Sequence, residues 1–114
     1  MKFYKGNSGL LLALLNAESD LKEVRVGTVD ASLEKHVPVV EVEGNKVKVR
    51  VGSVEHPMQD VHYIEMIILE TKKGLQVKYL NPGEEPYAEF LLDNDEVVAA
   101  YEYCNLHGLW KHEV

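Results

Sequence analysis

The feature that most constrains the fold of this chain is a series of short β-forming runs after residue 36, separated by turn signals. The run KVKVRV at 46–51 alternates apolar and polar residues strictly, which is typical of a half-buried strand. Gly44 lies just before it and supplies the positive φ that a short hairpin loop favours. Turns spaced about every 8–12 residues predict an all-β chain, folded as an antiparallel sandwich or barrel. The predicted strands are 37–42, 46–51, 63–70, 75–80, 87–92 and 97–103.

The N-terminal third has a less regular pattern. Residues 8–24 fit one helix, and residues 23–29 fit a strand. The run LLLALL at 10–15 resembles a weak signal peptide, but it is much shorter than the roughly 20 apolar residues of a membrane helix. We therefore expect no membrane span, and we expect this run to pack on the body of the protein or on a partner subunit.

Composition narrows the class of protein. A length of 114 residues suits one domain, and 46% apolar residues suffice for a core without disulfides. The net charge of −7 argues against nucleic acid and against a polybasic membrane patch, since both need clustered positive charge. The single cysteine is buried and inert, reactive, or a metal ligand. A lone thiol suits a reducing compartment, so we expect a cytoplasmic protein.

Metal-binding side chains occur in three short clusters that lie far apart in the sequence. Cys104 and His107 are close enough to reach one metal ion from a tight turn, His56 and His62 are six residues apart, and His36 precedes the first clear strand. Each cluster has an ordinary explanation when taken singly. A lone cysteine is usually a small buried apolar residue, and the histidines fit surface or partly buried positions.

Taken together, the five side chains indicate a metal site, because strand ends and loops of a sandwich meet at one rim. Structural zinc closes at four ligands, so five are too many for it. Imidazoles suit iron, and a thiolate donates electron density to it. Four imidazoles in a plane and one axial thiolate leave a sixth position open, which suits redox chemistry on a small molecule. The fifth histidine, His112, is expected on the surface.

Five segments also carry a family resemblance. They read EKHVPV at 34–39, VGSVEHPM at 51–58, HYIE at 62–65, NPGE at 81–84 and EYCNLHGLWK at 102–111. In this order they closely resemble the catalytic domain of superoxide reductase, of the desulfoferrodoxin and neelaredoxin family, over about residues 30–112. The resemblance implies an immunoglobulin-like antiparallel β-sandwich that reduces superoxide to hydrogen peroxide by one electron.

The resemblance further implies one mononuclear non-haem iron per chain, cycling between Fe²⁺ and Fe³⁺. The implied ligands are His36, His56, His62 and His107 in the plane, with Cys104 on the axis. Glu34 is implied as a ligand at the sixth position of the oxidised iron. Lys35, on a mobile loop, is implied to draw in superoxide and organise its protonation. A rubredoxin-like electron donor and a homo-oligomer (dimer or tetramer) are implied as partners.

The sequence departs from the family pattern in places. Tyr63 and Met66 stand where the family often has Trp, and Asn81 stands where it often has Lys. The start MKFYK resembles desulfoferrodoxin, but GNSG at 6–9 replaces the first cysteines of its small four-cysteine iron domain. We therefore expect a vestigial, metal-free N-terminal segment at 1–29 and a catalytic sandwich domain at 30–114.

Three other functions remain open from the sequence. A superoxide dismutase would use a similar substrate without an external reductant. A metal-free immunoglobulin-like binding module would carry its histidines by coincidence. A degenerate family member would act as a scaffold or sensor, although the complete ligand set argues against it.

Overall fold

The computed structural model describes residues 2–5, 11–14, 22–28 and 31–114, and these are almost entirely β. The strands are β1 Lys2–Lys5, β2 Leu11–Leu14, β3 Lys22–Val24, β4 Pro38–Glu43, β5 Lys46–Val51, β6 Ile64–Thr71, β7 Gly74–Tyr79, β8 Tyr87–Leu91, β9 Val97–Cys104 and β10 Gly108–Glu113. One short helix, α1, covers Leu33–His36. The six strands predicted after residue 36 are all present, with ends shifted by at most one residue.

Two antiparallel sheets face each other across the main core. One has the order β10-β9-β6-β7 and the other the order β4-β5-β8. The strict alternation of β5 determines which of its side chains face the core. Val47, Val49 and Val51 are fully buried, while Arg50 is exposed. These valines pack against apolar side chains of β6, β8 and β9. The predicted sandwich is confirmed.

A β-bulge lies at the start of β6. The pairing of β6 with β9 shifts register between Ile64 and Met66, so that Ile64 lies opposite Cys104 and Met66 lies opposite Tyr103. The extra residue lets Ile64 and Ile67 both face the main core, although their odd spacing would put them on opposite faces of a regular strand.

A third sheet, in the order β2-β1-β3, covers the outer face of the larger sheet. Phe3 is 2% exposed and meets the Tyr101 ring edge-on, with centroids 4.8 Å apart. Lys5 Nζ donates a hydrogen bond to the Tyr103 hydroxyl at 3.0 Å. Phe3 thus belongs to a second core cluster, together with side chains of β6, β9 and β10.

The structure corrects two predictions for the N-terminal third. The helix predicted at 8–24 is wrong where the chain is described, because Leu11–Leu14 and Lys22–Val24 are strands paired on either side of β1. Sheet pairing there overrides the helical propensity of the leucines. The strand predicted at 23–29 is present only as β3. The outer residues of the 10–15 run lie outside the described residues.

Two elements near the site were missed. The resemblance implied a loop at Lys35, and Leu33–His36 instead form one helical turn. The last residues form β10 along β9, so His112 is exposed as expected but lies in a strand. Within the described part of the chain, no helix is long and apolar enough to cross a membrane.

Candidate metal centre

Five side chains converge at one end of the sandwich. His36 ends α1, His56 and His62 lie in the loop between β5 and β6, Cys104 ends β9, and His107 lies in the turn before β10. One potential ligand atom from each of them lies within 4.8 Å of all the others. The strand ends and loops therefore bring together the three clusters that the sequence separates.

The four imidazoles form a closed ring. In the order His36, His56, His62, His107 and back to His36, neighbouring rings have centroids 4.6–4.9 Å apart and planes inclined by 74–89°. Cys104 Sγ lies 3.6 Å from His56 Nε2. Four imidazoles in a closed ring, with one sulfur close by, form a donor set that could hold one metal ion.

Hydrogen bonds to carbonyl groups fix the orientation of two histidines. His36 Nδ1 donates to Ser32 O at 2.7 Å, and His56 Nδ1 donates to Pro57 O at 2.7 Å. Since a carbonyl oxygen only accepts, each Nδ1 carries the hydrogen and each Nε2 presents a lone pair. His107 is turned the other way, with Nδ1 lying 3.0 Å from His36 Nε2.

The inward nitrogen atoms fit a cation better than they fit one another. The Nε2 atoms of His36 and His56 lie 3.1 Å apart, and neither has a hydrogen to share when both imidazoles are neutral. His62 Nε2 is buried without a hydrogen-bond partner. A metal ion accepts all these lone pairs at once, so the donor set fits one transition-metal ion.

Burial favours the neutral, metal-binding form of three of the four imidazoles. Desolvation lowers the pKa of His36 and His62, and it lowers the pKa of His56 to about 4. Desolvation also raises the pKa of the Cys104 thiol, and the backbone amides of His107 and Leu106 partly oppose this. A bound cation would favour the thiolate, because metal binding displaces the thiol proton.

The side chain of Asn105 braces the His62 segment from both sides. Its Oδ1 accepts from Tyr63 N at 3.0 Å, and its Nδ2 donates to Val61 O at 3.1 Å. Its backbone N–H also donates to Tyr63 O at 3.2 Å. The residue after Cys104 thus holds the residues before and after His62. Sequence reasoning missed this role, although the position of Asn105 between two donors was a usable signal.

We expect Asn105→Ala to weaken metal binding, because His62 would lose the contacts that orient its segment. Partners of this kind typically contribute about 10–100-fold to metal affinity. Titration of the metal-free protein with Co²⁺, followed by its absorption spectrum, measures the change. Asn94→Ala, at the far end of the sandwich, is the matched control, and equal affinities for the two variants would contradict the bracing role.

Trp110 is a second neighbour that the sequence did not single out for the site. It is 5% exposed, and its Nε1 donates to His107 O at 2.9 Å. Its ring centroid lies 5.1 Å from that of His36. Trp110 therefore fixes the turn carrying His107 and shields one side of His36 from water.

The two residues predicted to assist the metal lie at the edge of the site. Lys35 is exposed and lines a cavity of about 520 Å³ together with His56 and Met58. Its positive charge contributes to the lowered pKa of His62. Glu34 is also exposed, and the structure records no hydrogen bond or ion pair between its carboxylate and the described residues of the site.

Comparison with known proteins agrees with this geometry. Residues 28–113 match the sequence profile of desulfoferrodoxin. A desulfoferrodoxin homolog of Archaeoglobus fulgidus is 53% identical over 91 residues, which cover 80% of this chain and 72% of that protein. The desulfoferrodoxin of Nitratidesulfovibrio vulgaris is 52% identical over 93 residues, which cover 82% of this chain and 73% of that protein.

A solved structure extends the agreement to the whole chain. The superoxide reductase from Treponema pallidum superposes with a TM-score of 0.87 at 45% sequence identity, covering 99% of this chain and 100% of that chain. The profile match spans the four histidines, the cysteine and every strand from β4 to β10. With its sequence, fold and donor cluster in agreement, this chain belongs to the desulfoferrodoxin family.

Proposed function

We propose that this chain is a superoxide reductase with one mononuclear non-haem iron. Its reaction adds one electron and two protons to superoxide and yields hydrogen peroxide. The observation that carries this proposal is the closed ring of four imidazoles with the Cys104 sulfur beside it. The structural similarity to the superoxide reductase of Treponema pallidum supports it.

The proposed iron ligands are the five residues of the cluster. They are His36, His56, His62, His107 and Cys104. When bound, iron supplies the electron by cycling between Fe²⁺ and Fe³⁺. The imidazoles bind in their neutral form, and Cys104 contributes the one negative charge among the five donors. Trp110 and the main core keep water away from the ring on their sides.

Lys35 is the proposed capture residue for the anionic substrate. Lys35 lines a cavity beside His56, where its positive charge partly offsets three glutamates that line the same cavity, Glu55, Glu84 and Glu85. The Debye length is about 8 Å at physiological salt, so more distant carboxylates have little effect there. Its Nζ group also supplies a hydrogen-bond donor to this cavity. Glu34 is the proposed sixth ligand of the oxidised iron.

We expect Lys35→Ala to slow superoxide consumption by about 10-fold at low salt and to flatten its salt dependence, since local steering raises association rates. Pulse radiolysis across a range of ionic strengths measures both effects. Lys73→Ala removes the same charge at the opposite end of β6 and serves as the control. An unchanged rate in Lys35→Ala would remove this residue from the mechanism.

The remaining assignments complete the proposal. An external carrier of the rubredoxin type re-reduces the iron, because the sequence has a single cysteine and lacks ligands for a four-cysteine centre. Residues 1–29 form the metal-free N-terminal segment and residues 30–114 form the catalytic domain. The profile match from residue 28 supports this boundary. We further propose a cytoplasmic homo-oligomer.

Metal analysis after anaerobic purification tests the proposed cofactor. We expect about one iron per chain and a thiolate-to-iron absorption band that develops on oxidation. A metal-free binding module would contain no iron after loading and would show no such band. The buried, unpartnered His62 Nε2 already disfavours that alternative, because it leaves a polar atom unsatisfied.

A further inference from the structure

The turn after β5 holds the backbone of α1. Glu34 O accepts a hydrogen bond from Val54 N at 3.0 Å and another from Ser53 Oγ at 3.3 Å. Helix α1 has no side-chain cap at its N-terminus, and one helical turn is not stable alone. The contact with residues 52–54 therefore determines where this helical turn lies.

Gly52 makes the close approach possible. Its φ is +84°, a conformation that favours glycine. A Cβ atom on Gly52 would clash with Val54 O, and it would lie 2.7 Å from Glu34 O and 2.8 Å from Lys35 C. All three atoms are backbone, so no side chain can rotate away to make room. Any larger residue at this position must push α1 and the turn apart.

The two segments that meet at Gly52 carry neighbouring donors of the metal centre. Helix α1 carries Lys35 and ends at His36, and the turn beginning at Gly52 leads directly to His56. The Nε2 atoms of these histidines are only 3.1 Å apart. A separation of the backbones by a few tenths of an ångström or more would therefore move one donor relative to the other and shift Lys35 at its cavity.

We propose that Gly52 is a positioning residue of the metal centre, which seats α1 on the following turn and thereby sets His36 against His56 and Lys35 against the cavity. This inference rests on the proposed function for Lys35, and its metal-binding part stands on geometry alone. It goes beyond the ligand set, because Gly52 has no side chain and touches neither metal nor substrate.

The test compares Gly52→Ala with Gly44→Ala. Both glycines have positive φ and flank β5, but a Cβ at Gly44 would meet nothing within 4 Å. The control thus introduces similar backbone strain without the steric contact. We expect Gly52→Ala to bind Co²⁺ about 10-fold or more weakly than the wild type, and Gly44→Ala to bind it equally well.

Kinetics on the iron-loaded protein provide the second readout. We expect Gly52→Ala to lose most of the salt dependence that Lys35 provides, and the double variant with Lys35→Ala to be little slower than Gly52→Ala alone. Equal Co²⁺ affinity in both glycine variants would overturn the inference whatever the activity. A wild type without reductase activity, but with a Co²⁺ difference between the variants, would overturn only the proposed function and leave the positioning role standing.

Ser53→Ala decides the question if Gly52→Ala does not fold. It removes one of the two hydrogen bonds to Glu34 O from an exposed side chain, without new strain. We expect about 3-fold weaker Co²⁺ binding with an unchanged melting temperature. In that case, wild-type Co²⁺ affinity in Ser53→Ala would overturn the proposal.

Discussion

Replacing Cys104 with serine is expected to slow superoxide reduction more than about 100-fold, because the cluster loses the only anionic donor among its five. Cys104 is fully buried beside the imidazole ring. A serine hydroxyl in this position stays protonated and donates little electron density to iron. Pulse radiolysis of the iron-loaded variant measures the rate, and the thiolate-to-iron absorption band is expected to disappear.

The fold should survive this substitution. Serine is close in size to cysteine, and a buried hydroxyl without a good partner costs about 1–3 kcal/mol. We therefore expect circular dichroism to be unchanged and the melting temperature of the metal-free protein to fall only modestly. His112→Ala, a histidine exposed on β10, is the control and should keep the wild-type rate. Full activity in Cys104→Ser would contradict the role of the thiolate.

Glu102→Gln is expected to stabilise the metal-free protein by up to about 5 kcal/mol at pH 8. Glu102 is 0% exposed, and both of its carboxylate oxygens lack a hydrogen-bond partner. Desolvation raises its pKa to about 9. Because the unfolded chain ionises this group near its ordinary value of 4.5, the folded protein must retain a proton or bury a charge as the pH rises.

The direction of the pH dependence follows from proton binding. Between pH 4.5 and 9 the folded state holds one more proton at Glu102 than the unfolded state, so stability falls by about 1.4 kcal/mol for each pH unit. The loss of stability from Glu102 is absent below about pH 4.5 and complete above about pH 9. The histidines with lowered pKa values affect stability only below pH 6.5. The Cys104 thiol, with its raised pKa, affects stability only above pH 9.

Urea unfolding of the metal-free protein between pH 7 and 8.5 isolates this effect. The wild type should lose stability with rising pH, whereas Glu102→Gln should show a nearly flat profile. Glu41→Gln, at an exposed position on β4, is the control and should follow the wild type. Parallel profiles for wild type and Glu102→Gln would show that burial does not retain the proton on Glu102.

Local sequence patterns predicted the parts of the fold that depend on period and turn chemistry. The alternation around Val47 and Val49 predicted which face of β5 is buried. Gly44, which has a positive φ, predicted the hairpin before it. The five donors were also recognisable, because strand ends of a sandwich gather at a rim. The sequence pattern therefore predicted the sheets and the set of side chains that come together at their ends.

Contacts between distant segments determined what the pattern could not predict. The position of helix α1 depends on its close approach to Gly52. The His62 segment depends on Asn105, which binds Tyr63, a residue 42 positions away in the sequence. Pairing with β1 holds Leu11–Leu14 in a strand, although this leucine-rich run favours a helix by propensity. The partners at Gly52 and Asn105 are remote in sequence, so a local window contains no signal of them.

In the proposed function, the five side chains of the cluster hold an iron ion that reduces superoxide without dismutating it. The most direct test is the amount of hydrogen peroxide formed per superoxide consumed by the iron-loaded, pre-reduced protein under anaerobic conditions, with an external reductant. We expect one peroxide for each superoxide and no release of oxygen. One peroxide for every two superoxides, with oxygen released and no reductant consumed, would contradict it.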